Sequence, residues 1–253
     1  MLQRGALLSL DPAVVHGFTT RHGGVSTGPL TSLNLARRGG ESDAALDQNW
    51  ARVASALGMT GAPVGLATQT HGVTVLDGDA AATGAGRVDL GEGDALVLTA
   101  PGALIAVRVA DCVPILLSAP GAVAAVHAGW RGTVAGIAER ALVALTERAG
   151  VPPDAVRAAI GPAIGPCCYE VGDEVVSALL AVAPEQVALR PGPRRPHADL
   201  RAVNEALLRA AGVRQIEHVG PCTRCSADHY SHRREGEATG RFAGVIGLRE
   251  RRP

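Results

Sequence analysis

Three stretches of this chain share one layout: an apolar run ends in a reactive side chain and is followed at once by small residues. They are Thr68-Gln69-Thr70-His71-Gly72, Ala110-Asp111-Cys112-Val113-Pro114 and Val126-His127-Ala128-Gly129-Trp130-Arg131-Gly132-Thr133. If the apolar runs are strands of an α/β fold, their ends converge on a crevice where His71, Cys112 and His127 can meet. Two imidazoles and a thiolate form a borderline-soft donor set suited to Zn²⁺ or copper, and three protein ligands leave a fourth position open, as catalytic sites do. The spacings of 41 and 15 residues match no local metal motif, so the fold must assemble such a site. The same atoms admit another chemistry. Cys112 as nucleophile, His127 as base and Asp111 or Gln69 as the orienting group would make a thiol hydrolase. A lone histidine after a strand and a lone cysteine within one are also ordinary structural residues. Residue chemistry alone leaves these readings open.

Two further groups could bind something. Cys222-Thr-Arg-Cys225, with His229 and His232 downstream, has spacing for a closed Cys₂His₂ zinc site, although a pair of reduced thiols is the plainer expectation. Cys167 and Cys168 are adjacent and read as packing residues near Pro166. Arg21, Arg131, Arg233, Arg234 and Arg241 lie in or near loop-like contexts rich in Gly, Ser or Thr, where guanidinium forks take phosphate or carboxylate. Arg21 and Arg131 stand out. Arg131 lies four residues past His127 at the start of a helix whose amide end favours anions.

The elements that must position these residues follow from periodicity and punctuation. Residues 16–36 read as a long loop. A helix is expected from Asp43, with Leu46, Trp50, Val53 and Leu57 on one face and Gly58 closing it. Buried strands are expected at Val64–Thr68, Val73–Leu76, Ala95–Thr99, Leu104–Val109, Val113–Leu117 and Val123–Val126. Helices should cover Thr133–Ala149, Gly172–Val182 and Asp199–Ala211, with a last strand in Gly240–Arg249. No repeat or long linker divides the chain, so one α/β sandwich spanning 1–253 is expected.

Composition narrows the function. With 253 residues, 47% hydrophobic and 19% charged, the chain is globular. Its 24 basic residues are all arginine and balance 24 acidic ones, which argues against nucleic-acid binding through a broad basic surface. At 2% aromatic the core must be Ala, Val, Leu and Ile, with little left for a base-stacking platform. The N-terminus lacks a signal-peptide pattern, and Arg108 and Asp111 interrupt the longest apolar run. Five cysteines describe no disulfide framework. A soluble cytoplasmic monomer without nucleic-acid or membrane partners is expected.

Taken together, RHGGVSTGPLTSLNLA at 21–36, TQTHG at 68–72, GDALVLT at 93–99, ADCVPILL at 110–117, AAVHAGWRGT at 124–133, AIGPAIGPCCYEVGDEV at 159–175 and YSHRREGEATGRFAGVIGL at 230–248 resemble the laccase-domain family. Its members are described as multicopper polyphenol oxidoreductases or, as YfiH-like proteins, purine nucleoside phosphorylases. The resemblance implies a four-layer α-β-β-α sandwich with mixed sheets and a zinc, or in some members copper, held by His71, Cys112 and His127. It implies phosphorolysis of adenosine, inosine and methylthioadenosine with some adenosine deamination, the small-molecule partners being nucleoside and phosphate. A cysteine-type hydrolase editing peptidoglycan precursors and a copper-dependent polyphenol oxidase are the alternatives. Arg21, Cys112 and His127 are the expected catalytic residues. Arg21, Ser26, Asn34, Gln69, Arg131 and Arg233 are expected to bind substrate. Thr70 and Leu30 depart from the family pattern, and Leu30, where Tyr is frequent, bears on how the base is stacked.

Overall fold

A computed structural model of the chain describes residues 1–250; of the expected 1–253 span, 251–253 lie outside the described residues. In chain order the strands are β1 Leu2–Gln3, β2 Val14–Thr19, β3 Val64–Thr68, β4 Val75–Asp77, β5 Arg87–Glu92, β6 Ala95–Leu98 and β7 Leu104–Val109. They continue with β8 Val113–Ala119, β9 Ala122–Ala128, β10 Arg157–Ile160, β11 Leu189–Arg190, β12 His197–Ala198, β13 Gln215–His218 and β14 Phe242–Leu248. The helices are α1 Asp43–Ala56, α2 Trp130–Val134, α3 Ile137–Ala149, α4 Asp173–Leu180, α5 Glu185–Ala188, α6 Leu200–Ala210 and α7 His232–Glu235.

Alternation along the strands dictates the layering. In β7, Leu104 and Ala106 pack on Trp50 and Val53 of α1, while Ile105 and Val107 face inward onto Leu96, Leu116 and Val123. In β6, Leu96 and Leu98 face that same interior, while Ala95 and Val97 face Ile137, Leu142 and Leu145 of α3 and Val203 of α6. The result is a single domain with four layers: α1, a sheet ordered β1-β2-β14-β7-β3-β5, a sheet ordered β13-β10-β8-β9-β6-β4, and an outer layer that includes α3 and α6. Both large sheets are mixed, and β11 pairs with β12 apart from them. Phe18 fills the inter-sheet space because Gly161 leaves room for it; a Cβ there would stand 2.3 Å from the ring.

The expected helices and strands appear, with instructive shifts. Residues 16–19 belong to β2, so the first loop begins later than expected. The helix expected over Thr133–Ala149 is two, because Gly136 adopts φ 83° and breaks the spiral between α2 and α3. Strands β5, β10 and β13 lack a clean apolar pattern and were not anticipated. No helix among the described residues is long and apolar enough to cross a membrane.

What positions the site is a repeated crossing. Strands β7, β3 and β5 are adjacent and mutually parallel, so their carboxyl ends lie at one edge. From each end the chain passes directly into the second sheet: through residues 69–74 to β4, through Gly93 and Asp94 to β6, and through Ala110–Cys112 to β8.

Candidate active site

Those crossings carry the chemistry. His71 sits in the first, Cys112 in the third, and His127 is the penultimate residue of β9 in the second sheet. Their ligand atoms lie within 4.8 Å of one another. His71 Nε2 is 3.9 Å from Cys112 Sγ, and the two imidazoles meet edge to face. Gly129, at the head of α2, leaves the cluster open: a Cβ would lie 2.8 Å from His71 Cδ2 and 3.2 Å from Cys112 Sγ.

The group that organises the cluster is Asp94, from the second crossing, and it is fully buried. It accepts the backbone N–H of Thr70 at 3.2 Å, of His71 at 3.0 Å and of Gly72 at 2.7 Å, and the Thr70 hydroxyl at 3.1 Å. Its Oδ1 also takes His127 Nδ1 at 2.8 Å. Burial raises the Asp94 pKa, but these donors prevail and hold it far below the ordinary carboxylate range. Burial opposes charge on His127, yet the Cys112 sulfur and Asp94 outweigh it and bring the imidazole up to about 9. Burial likewise raises the Cys112 thiol, and His127 and His71 overcome it and lower it to about 6. Two non-glycine residues here have left-handed backbone, His71 at φ 61° and Asp111 at φ 90°. Each such conformation costs about 1–3 kcal/mol and persists only where the surroundings enforce it. Asp94 grips the first. The second is gripped through its own carboxylate, which accepts the Thr223 hydroxyl and the Arg233 amide, each at 2.6 Å.

The donor set fits one transition-metal ion: two imidazoles, one with Nδ1 fixed by a carboxylate so that Nε2 is free, and a thiol poised to ionise. The cluster lies in the wall of a cavity of about 620 Å³, which is also lined by Arg38, Arg108, Arg131, Arg233 and Arg241, by the carboxylates Asp111 and Glu237, and by Trp130 and Tyr169.

Not every expected residue reaches this cavity. Gln69 does, with its amide bonded on both sides to the Arg108 backbone at 2.8 Å. Arg131 and Arg233 do, stacked over Trp130 and Tyr169 respectively. Arg21 does not: its guanidinium is consumed by Glu235 at 2.8 Å and the Thr31 carbonyl, and lies over the Tyr230 ring. Ser26 is buried and accepts from Asn49. Asn34 is buried behind the wall, where its oxygen accepts the Arg241 amide at 2.9 Å. Asp111 does not orient His127, since its oxygens are committed elsewhere; that place belongs to Asp94. The Cys₂His₂ arrangement is absent. His229 is buried edge-on to Phe242 with Nδ1 on Ser226, and His232 lines the cavity. Asp94, Arg38, Arg108 and Tyr169 escaped the reading of single residues, although Asp94 and Tyr169 lie inside the motifs GDALVLT and CCYEVGDEV.

A donor set that fits one metal ion, two of its members at the carboxyl ends of parallel strands, opening on an arginine-lined cavity, suits an enzyme for small polar or anionic substrates. The chain belongs to the multi-copper polyphenol oxidoreductase laccase family, whose model matches residues 15–249. It is 42% identical over 242 residues to a protein of Deinococcus radiodurans named purine nucleoside phosphorylase, covering 94% of this chain and 91% of that one. Over 161 residues, 60% of this chain and 61% of the relative, it is 45% identical to a protein named adenosine deaminase RL5 from an unknown prokaryotic organism. The crystal structure of YlmD from Geobacillus stearothermophilus superposes with a TM-score of 0.84 at 37% identity, covering 94% of this chain and 93% of that one.

Proposed function

We propose that this chain is a zinc-dependent purine nucleoside phosphorylase, acting on adenosine, inosine and methylthioadenosine, that also deaminates adenosine. The observation that carries the reading is a one-metal donor set in the wall of a cavity ringed by arginines; the names of the relatives agree with it. A zinc ion held by His71, Cys112 and His127 would supply Lewis acidity there.

The chain's own residues account for the rest. In phosphorolysis a phosphate oxygen bonds to the ribose C1′ as the C1′–N9 bond breaks, and the electron pair leaves with the purine. Burial and the neighbouring Arg38 push Arg241 down to about 10, so it remains cationic at neutral pH, and an anion relieves the repulsion between the two guanidiniums. Arg131 over Trp130 and Arg233 over Tyr169 offer flat cationic platforms for a purine. Leu30 is buried and does not line this cavity. The reading takes nucleoside and phosphate as partners of a cytoplasmic monomer, without nucleic acid or membrane.

The test is chromatography of products after incubating the zinc-loaded protein with adenosine and with inosine, each with and without phosphate. Free base released only with phosphate present is the expected result. Turnover of neither nucleoside overturns the reading.

A second reading has one observation behind it. Cys112, His127 and Asp94 stand in the order of a nucleophile, its base and an orienting carboxylate, as a hydrolase of peptidoglycan precursors would need. If Cys112→Ala keeps its zinc and loses all activity, the thiol reading gains. Multicopper oxidation is less supported. The metal-ligand groups among the described residues are this cluster and four cysteines, and neither supplies the several imidazole-rich centres that it requires.

A further inference from the structure

Four of the five cysteines converge outside the cavity. Cys167 and Cys168 follow Pro166 in the loop after β10, and Cys222 and Cys225 lie in the turn after β13. A bridge between Ala163 and Cys222, with the Thr223 amide on the Ala163 carbonyl at 3.0 Å, brings the two segments side by side. All four sulfurs lie within 4.8 Å of one another. Cys225 Sγ is 3.3 Å from Cys168 Sγ and 3.7 Å from Cys167 Sγ. Tetrahedral coordination at a Zn–S length of about 2.3 Å puts sulfurs about 3.8 Å apart, close to this spacing.

Two hydrogen-bond donors point at the cluster. Cys222 Sγ receives the Gly165 amide at 3.1 Å. Arg224 Nη1 points at Cys168 Sγ from 3.5 Å. A neutral thiol is a weak acceptor; an amide on one sulfur and a guanidinium on another are donors that metal-bound sulfur accepts.

We propose that Cys167, Cys168, Cys222 and Cys225 form a closed tetrathiolate site for zinc, independent of His71, Cys112 and His127. With four protein ligands it leaves no position for substrate, so its role is structural. What it braces is the cavity wall. Tyr169 directly follows the first cysteine pair, and Thr223, between the second pair, holds the Asp111 carboxylate that takes the Arg233 amide.

The test is metal content of zinc-loaded, desalted protein, read with thiol titration. Wild-type chain is expected to hold two zinc ions. Cys112→Ala should still hold one, and the exposed Cys167 and Cys225 should react slowly with a disulfide reagent until a mercurial expels the metal. In Cys222→Ser/Cys225→Ser the zinc count should fall by one. The Cys112→Ala count and the wild-type thiol titration decide the matter even if that double variant fails to fold. Cys112→Ala without zinc, prompt reaction of Cys167 and Cys225 in the wild type, or an intact mass lighter by the hydrogens lost to disulfides would each overturn the proposal. A failed phosphorolysis assay would leave it untouched, because no readout here is turnover.

Discussion

Asp94 Oδ1 lies 2.8 Å from His127 Nδ1 and accepts the His71 amide at 3.0 Å, so one carboxylate sets both the ring of one imidazole and the backbone of the other. Asp94→Asn keeps the shape but loses the charge and must turn an N–H₂ group towards donors. Zinc affinity is expected to fall about 10–100-fold, the usual cost of losing a partner behind a metal ligand. Competition against a chromophoric chelator, with circular dichroism as the check on folding, measures it. Unchanged affinity would remove Asp94 from the site.

Gly129 has φ −71°, which any residue can adopt, so its role is space. In Gly129→Ala the new methyl meets His71 and Cys112. Overpacking of this kind costs about 1–3 kcal/mol, and here it should appear as tenfold or greater weakening of metal binding with a nearly unchanged melting temperature. A lowered melting temperature with intact affinity would show the strain going elsewhere.

Metal binding should release protons in a pH-dependent number. Between about 6 and about 9 the metal-free pair is thiolate and imidazolium, so binding expels the His127 proton. As pH falls through about 6, the Cys112 proton is expelled as well. Apparent affinity should therefore drop by roughly tenfold per pH unit in the upper window and more steeply below it. Calorimetry in buffers of different ionisation enthalpy counts the protons directly.

His229 contributes a separate pH effect on stability. It is fully buried, and burial lowers its pKa to about 4, so the unfolded chain takes up this proton more readily than the native one. The stabilisation is complete above the unfolded value of about 6.5 and is lost as pH falls towards 4, by up to about 3 kcal/mol. Urea unfolding at several pH values measures this, and His229→Gln should flatten that part of the profile.

Arg241→Gln should raise the KM for phosphate by about 10–100-fold, the worth of a charged hydrogen bond of 1.5–3 kcal/mol, with less effect on the KM for nucleoside. Equal effects on both would place the phosphate elsewhere.

The layer order came only from the resemblance to the laccase-domain family, whereas the His71–Cys112–His127 meeting was legible because it rests on a local pattern, an apolar run followed by a ligand at its end. Asp94 was not, because nothing near it in sequence marks a carboxylate that will receive amides from residues 70–72. Arg21 shows the opposite limit. Its Gly- and Ser-rich neighbourhood looks like an anion loop, but its partner, Glu235, is 214 residues away. The cysteine quartet needed the pairing of Ala163 with Cys222, a long-range contact that spacing does not encode. Strands β5 and β13, QIEH among them, are polar edge strands whose pairing comes from their neighbours.

The three crossings at the ends of β7, β3 and β5 would give a bound ion a mechanical meaning. His71 and Cys112 hang from the spans that stitch one sheet to the other, while His127 is anchored within the far sheet. An ion shared among them would work as a rivet through both leaves at one rim. Stripping it should speed amide exchange around residues 69–72 and 110–113 while the opposite rim, beyond Leu98 and Ala103, exchanges as before; occupancy would thus be recorded in the suppleness of a single margin of the fold.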